Sequence, residues 1–114
     1  MTYYSQVSDP VFQQIKHGHK IIEPRLNDAA HQKVRVGDLI VIISRLTKQE
    51  VVAKVVGMLH YSTFDDLFEA FPPGYFGAAS VDEAKREVNR WYDASLETTN
   101  GVLGIKLHAL RQTH

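Results

Sequence analysis

The sequence predicts an α+β fold in which a small sheet curls around one core. Apolar, β-branched runs occur near both ends and in the middle of the chain, and helical patterns lie between them. There is no glycine-rich turn between a strand and a helix and no regular βαβ alternation, so a Rossmann fold is disfavoured. A chain of 114 residues, 44% of them hydrophobic, can bury one core, and we therefore expect residues 1–114 to form a single domain.

The N-terminal part predicts a strand, a short helix and a second strand. Residues 3–7 form the opening strand, and Ser8-Asp9-Pro10 supplies an N-cap and an early proline for a helix that runs to His17. Gly18 is well placed to end that helix. Residues 20–23 form the second strand, and Pro24 either ends its ladder or marks an edge of the sheet.

The apolar centre of the chain predicts a β-hairpin. Residues 39–44 and 51–61 are β-branched runs on either side of a turn at residues 47–49, and the turn Val36-Gly37-Asp38 precedes them. Their nearly continuous apolar character predicts strands buried on both faces. The hairpin is therefore expected at the centre of the core.

The second half predicts two helices and a final strand. Residues 63–71 place four apolar side chains on one helical face, and Pro72-Pro73-Gly74 stops that helix. Ser80-Val81-Asp82-Glu83 is a capping box for a third helix, which is expected to run to about Asp93. A polar loop follows, and residues 101–110 alternate enough to form the last strand.

Composition and missing motifs exclude most functional classes. The chain has no cysteine, so disulfides, thiolate metal sites and cysteine nucleophiles are absent. The longest apolar runs are far shorter than the roughly 20 residues that span a bilayer, and the N-terminus lacks a secretory signal, so we predict a cytoplasmic protein without membrane contact. No phosphate-binding loop, nucleophile elbow or zinc-binding helix is present, and His17-Gly18-His19 suggests no third ligand. We therefore expect no cofactor and no metal.

Charge is unevenly distributed although 13 Lys and Arg balance 13 Asp and Glu. Residues 1–60 carry a net charge of +3, residues 61–100 carry −5, and residues 101–114 carry +2. This distribution favours one local basic cleft over a surface that coats nucleic acid. The alternative is that the charge blocks only solvate two faces of the molecule.

One charged stretch, Gly18-x-Lys20-x-x-Glu23-x-Arg25, stands out among apolar residues. In an extended strand, Lys20 would lie on the face opposite Glu23 and Arg25, so Lys20 need not pair with Glu23. Three charges packed among apolar residues are costly to bury without partners or water, so the stretch is expected to border a cleft. An edge strand kept soluble by its charges is the alternative, and both interpretations stay open.

This spacing resembles the G-x-K-x-x-E-x-R signature of the ASCH domain family, a branch of the PUA-like superfamily. Further stretches agree in the same order, and the resemblance covers about residues 1–110: Val36-Gly37-Asp38, Tyr61-x-Thr63-Phe64-Asp65-Asp66-Leu67, and Trp91-Tyr92 followed by Gly101-Val102-Leu103-Gly104-Ile105. The resemblance implies a small PUA-like β-barrel with helices packed around it. It also implies a positively charged cleft beside the signature that binds RNA or another nucleic acid component.

The resemblance assigns ligand binding to the signature positions Gly18, Lys20, Glu23 and Arg25. Lys20 and Arg25 suit phosphate contacts, and Glu23 can orient Arg25 or accept a hydrogen bond from a base amino group. The aromatic residues considered for base stacking are Tyr61, Phe64, Tyr75, Phe76, Trp91 and Tyr92. Of these we favour Tyr61 and Tyr75, because Phe64 is assigned to the core by its periodicity and Trp91 is as compatible with the core as with the cleft. The expected partner is RNA, a nucleotide or a modified nucleoside, and neutral overall charge favours a short ligand. Besides Lys20 and Arg25, one or two of Lys16, Lys33 and Arg35 are expected to reach the cleft as phosphate contacts.

An enzyme is the alternative. Some members of the family resemble hydrolases that remove an acyl group from modified cytidine, using a Thr two residues before the signature Arg, the signature Lys and a later Glu. Here Glu23 stands at the Thr position and residues 74–79 contain no acid, which argues against that activity. Other members are thought to cleave single-stranded RNA. The candidate acids and bases for that reaction are Lys20, Glu23, His19 and His60, and nothing in the sequence selects among them.

Overall fold

A computed structural model describes residues 1–110 and shows an α+β fold. Two 3₁₀ turns, His31–Lys33 and Pro73–Phe76, lie between the longer elements. Those elements are, in chain order, β1 (Thr2–Val7), α1 (Asp9–Lys16), β2 (Ile22–Leu26), β3 (Leu39–Ser44), β4 (Glu50–Tyr61), α2 (Phe64–Ala70), α3 (Val81–Asn89), α4 (Ala94–Asn100) and β5 (Val102–Ala109).

The five strands form one sheet in the order β1-β3-β4-β5-β2. The β1 and β3 strands are parallel, and every other neighbouring pair is antiparallel. A register shift between Val55 and Gly57 interrupts the β4 ladder, and such a bulge bends the strand that contains it. The sheet is a curled half-barrel with four helices packed around it, which confirms the predicted fold class.

Two apolar clusters fill the space between the sheet and the helices. The first joins Phe12 and Ile15 of α1 to the central strands. The second joins β2 to α2 and α3, and its buried members are Ile22, Leu26, Phe64, Leu67, Phe68, Phe76, Ala84, Val88 and Val102. The second cluster therefore anchors β2, the strand that contains most of the charged signature.

The predicted hairpin is present, and β4 is the central strand of the sheet. Its predicted burial on both faces is wrong for β4, where Val51, Ala53 and Val55 are buried while Lys54 and Val56 are exposed. The alternation follows from antiparallel pairing with one covered face, which leaves the other face to solvent. In β3 the prediction holds locally, because the consecutive residues Val41 and Ile42 are both buried.

The region after the capping box differs from its prediction. The third helix, α3, ends at Asn89 instead of about Asp93, and the stretch predicted as a polar loop contains α4. This short helix has no apolar stripe, and Asp93 caps its N-terminus. The Glu97 carboxylate of α4 accepts a hydrogen bond from the backbone N–H of Phe64, the first residue of α2, at 2.7 Å. Polar docking onto α2 holds it in place, so hydrophobic periodicity had no signal to detect.

Residues 1–110 contain no helix of the length and apolar character that crossing a membrane requires.

Candidate functional site

The strand β2 lies at one edge of the sheet and presents two charged side chains on its outer face. Ile22, Pro24 and Leu26 point into the core, and Glu23 and Arg25 alternate with them. Pro24 sits inside the ladder opposite Gly104 of β5, which an edge strand tolerates because its other side needs no donor. The edge position predicted as one alternative for Pro24 is therefore confirmed.

Lys20 lies before β2, at the junction with α1. Gly18 adopts a left-handed backbone angle of φ +76° just after the helix, and the amides of His19 and Lys20 both donate to the Gln14 carbonyl, at 2.8 and 3.0 Å. The chain therefore becomes a regular strand only at Ile22. The expectation that Lys20 points away from Glu23 assumed an extended chain from residue 20, and it is wrong for this reason.

Lys20, Glu23 and Arg25 form one ionic cluster, called here the motif cluster. Lys20 Nζ lies 3.0 Å from Glu23 Oε2, and Arg25 Nη1 donates to Glu23 Oε1 and, at 2.8 Å, to the Pro24 carbonyl. The side chains are 12%, 16% and 32% exposed, respectively. Among residues 1–110, Nη2 and Nε of Arg25 have no hydrogen-bonding partner, so part of the guanidinium is available to a ligand.

The electrostatics of the motif cluster keep Glu23 ionised. Burial acts to raise the pKa of the Glu23 carboxyl, but the charges of Lys20 and Arg25 and their hydrogen bonds lower it further than burial raises it. The pKa therefore lies below its ordinary value of 4.5. A carboxylate held in this state orients two cations and is a poor proton acceptor for catalysis.

The motif cluster opens onto a cleft of about 770 Å³. One wall is β2, a second is α3 with the residues after it, and the junction of β1 and α1 forms a third. The charged residues that line it are Lys20, Glu23, Arg25, Arg45, Glu83, Glu87 and Arg90. The sequence indicated a basic cleft but suggested that Lys16, Lys33 or Arg35 would help to form it; none of the three lines it, whereas Arg45 and Arg90 do.

The aromatic residues of the cleft are not those favoured from the sequence. Tyr61 packs against the second apolar cluster at the end of β4, and Tyr75 stacks on Phe71, with ring centroids 6.2 Å apart; neither lines the cleft. Four other aromatic side chains line it: Phe68, Phe76, Trp91 and Tyr92. Phe68 and Phe76 are buried, whereas Trp91 is 71% exposed.

Helix and turn geometry explain these placements. Trp91 lies just after the end of α3, where its backbone N–H still donates to the Val88 carbonyl, and of the two positions left open for it the structure shows the cleft. Tyr92 is half-buried; burial raises the pKa of its phenol, while the nearby guanidinium of Arg25 acts to lower it. Phe64 is buried in the core, as its periodicity predicted.

Other candidate residues lie elsewhere. Gly18 shapes the turn before Lys20 but does not line the cleft, and neither His19 nor His60 lines it. The His17 and His19 rings lie 6.3 Å apart, and the described part of the chain contains no group of three residues that could hold a metal ion. Besides Glu23, two acids line the cleft, Glu83 and Glu87, and both lie on α3, beyond residues 74–79.

A curled half-barrel sheet with helices packed around it defines the class of fold as α+β. The sequence matches the ASCH domain over residues 6–109, and the chain therefore belongs to the ASCH domain family.

Solved structures agree with this assignment. Hypothetical protein PH0355 is 26% identical, with a TM-score of 0.83 over 96% of this chain and 100% of that one. Protein PF0455 from Pyrococcus furiosus is 24% identical, with a TM-score of 0.76 over 98% and 100% of the two chains. An ASCH domain from Lactobacillus crispatus JV V101 is 15% identical, with a TM-score of 0.57 over 94% and 79%. A comparison with curated proteins found no match.

Proposed function

We propose that this protein binds a nucleotide or a short stretch of single-stranded RNA in the cleft beside the motif cluster, in the cytoplasm. The observation that carries the proposal is the combination of cations and an exposed aromatic ring in one cleft. Lys20 and Arg25 contact phosphate, and Trp91 offers an indole face to a base. A volume of about 770 Å³ suits a small ligand, within the roughly 300–1,000 Å³ of typical ligand pockets.

The motif cluster supports this role by pre-organising its cations. Glu23 bonds to both Lys20 and Arg25, so neither long side chain needs to be ordered when a phosphate arrives. The free edge of the Arg25 guanidinium provides a planar donor pair for phosphate oxygens. The same bonds weaken the enzyme alternative, because Glu23 held ionised between two cations is a poor general base.

The test uses the single tryptophan of the chain as a reporter. Titration of the protein with the four nucleoside monophosphates and matching trinucleotides is expected to change Trp91 fluorescence saturably. The Lys20→Ala variant is expected to weaken binding about tenfold or more, since a charged hydrogen bond contributes about 1.5–3 kcal/mol. Lys54→Ala, an exposed lysine outside the cleft, is the matched control and should bind like the wild type.

Stability measurements separate binding from folding. Lys20→Ala should lower the free energy of unfolding less than Val55→Ala does, because Arg25 still pairs with Glu23, whereas Val55→Ala in the core should lower it by about 1–3 kcal/mol. An equal loss in both variants would make Lys20 a structural residue. Incubation with single-stranded RNA and with acetylated cytidine tests the enzyme alternative. Product formed by the wild type and not by Lys20→Ala would favour catalysis over simple binding.

A further inference from the structure

The α3 wall of the cleft carries acids where the β2 wall carries cations. Glu83, Glu87 and Trp91 are spaced four residues apart, so they follow one side of α3 and its continuation, and all three line the cleft. Ala84 and Val88 are buried beside them and fix which side of the helix faces inward. The cleft is therefore polarised between two walls of different charge.

Glu87 is the acid that Trp91 and Arg90 hold in position. The indole Nε1–H of Trp91 donates to Glu87 Oε1 at 3.4 Å, and Arg90 Nη1 lies 3.6 Å from Glu87 Oε2. The Glu87 side chain is still 62% exposed, and a carboxylate has about four lone-pair sites, so it can accept further hydrogen bonds. The Glu87 carboxylate therefore lies at the edge of the Trp91 indole, which is the most exposed aromatic ring in the cleft.

We propose that this wall selects the base, with Trp91 stacking on it and Glu87 accepting hydrogen bonds from the donor edge of guanine. The inference rests on the proposed nucleotide binding and adds the class of nucleotide. A base stacked on the indole presents its own edge near the carboxylate that borders the indole.

Guanine matches a carboxylate better than the other bases do. Its Watson–Crick edge carries two adjacent donors, N1–H and the 2-amino group, which can meet both oxygens of one carboxylate. Adenine and cytosine each offer one amino group on that edge. Uracil offers a single N–H between two carbonyl oxygens, and those oxygens are repelled by a carboxylate.

The opposite wall fixes the orientation of the ligand. A phosphate is attracted to Lys20 and Arg25 and repelled by Glu83 and Glu87, so a nucleotide enters with its phosphate toward β2 and its base toward α3. Tyr92 adjoins Trp91 in sequence and lines the same cleft as Arg25.

The experiment measures affinities for GMP, IMP and UMP by isothermal titration calorimetry. The wild type is expected to bind GMP about tenfold more tightly than UMP, with IMP, which lacks the 2-amino group, between them. In Glu87→Gln the ratio of GMP to UMP affinity should fall to about twofold or less, because a neutral amide offers guanine one acceptor oxygen instead of two and no longer repels the uracil oxygens. The Gln oxygen can still accept from Trp91 Nε1. Glu69→Gln, an exposed acid outside the cleft, is the control and should keep the wild-type ratio.

Each result decides something different. Equal affinity of the wild type for GMP and UMP, or an unchanged ratio in Glu87→Gln, overturns the guanine assignment and leaves nucleotide binding intact. Failure of the wild type to bind any of the three nucleotides overturns the proposed function itself.

Discussion

At the scale of single residues, the backbone at Gly77 lies close to the side chain of Lys20. A Cβ atom built there would lie 2.6 Å from Gln14 Oε1 and 3.1 Å from Lys20 Cδ. The Gln14 side-chain amide also donates to the Gly77 carbonyl at 3.2 Å. The absence of a side chain at Gly77 therefore makes room for the stem of Lys20 and for the contact that links α1 to this turn.

Gly77→Ala is predicted to weaken GMP binding by displacing Gln14 and Lys20. Gly18→Ala is the matched control, because Gly18 has the same φ of +76° with no atom within 4 Å of a built Cβ. Each variant should lose about 1–2 kcal/mol of stability from the left-handed conformation, and Gly77→Ala should lose more because its Cβ also meets Gln14. Calorimetric affinities of the two folded variants check the prediction, and equal affinities in both would contradict it.

Glu23 gives the molecule a defined acid sensitivity. Because its folded-state pKa is lowered below 4.5, its contribution to stability is fully present above pH 4.5 and is lost as the pH falls through the lowered value. The difference in unfolding free energy between wild type and Glu23→Gln should therefore be constant from neutral pH to about 4.5 and shrink below it. Chemical denaturation at a series of pH values measures this difference, and a gap that persists at pH 2 would show that charge at Glu23 is not its source.

At the scale of elements, the caps of α2 and α3 offer a matched comparison. Ser80 Oγ accepts from the Glu83 amide at 3.1 Å, and Thr63 Oγ1 accepts from the Asp66 amide at 3.1 Å. Ser80→Ala and Thr63→Ala should each cost about 1 kcal/mol of stability. Only Ser80→Ala should also reduce GMP affinity, because α3 carries a charged wall of the cleft. Affinities reduced equally in both variants would mean that stability, and not the α3 wall, controls binding.

Elements with strong local signals were predictable from the sequence. The hairpin has long β-branched runs, α2 has an apolar face before a double proline, and α3 has a capping box, so propensity, pattern and tertiary structure agree there. The helix α4 was missed because its stability comes from a side-chain contact with α2, and a contact between Glu97 and Phe64 leaves no local pattern.

The candidate site was predictable only in part. The signature spacing indicated that Lys20, Glu23 and Arg25 border one cleft, and the structure places them there. The other side of the cleft was not visible, since Arg45, Glu87 and Trp91 are brought to it by the packing of α3 and the turn after β3. Their role as ligand contacts stays a prediction for the experiments above.

At the scale of the whole molecule, the cleft limits the length of nucleic acid that can gain affinity. Four cations and three carboxylates line it. We therefore predict that RNA affinity falls only slowly as the salt concentration rises, with a slope that corresponds to about two to four phosphate contacts. Mononucleotides and trinucleotides should bind nearly as well as a twelve-nucleotide RNA at near-physiological salt. A slope of six or more contacts, with affinity rising steeply with RNA length, would reveal an extended basic track and overturn the small-ligand assignment.

The sheet order has a consequence for how the protein acquires its cleft. The only strand that pairs with β2 within residues 1–110 is β5, and the two are separated by some 75 residues of chain. The loop that must close before β2 gains its ladder is therefore long, and its entropy delays that step relative to closure of the local β3–β4 hairpin. A nascent chain halted before β5 holds the signature residues without the ladder that aligns them, so ligand competence requires that β5 has been synthesised.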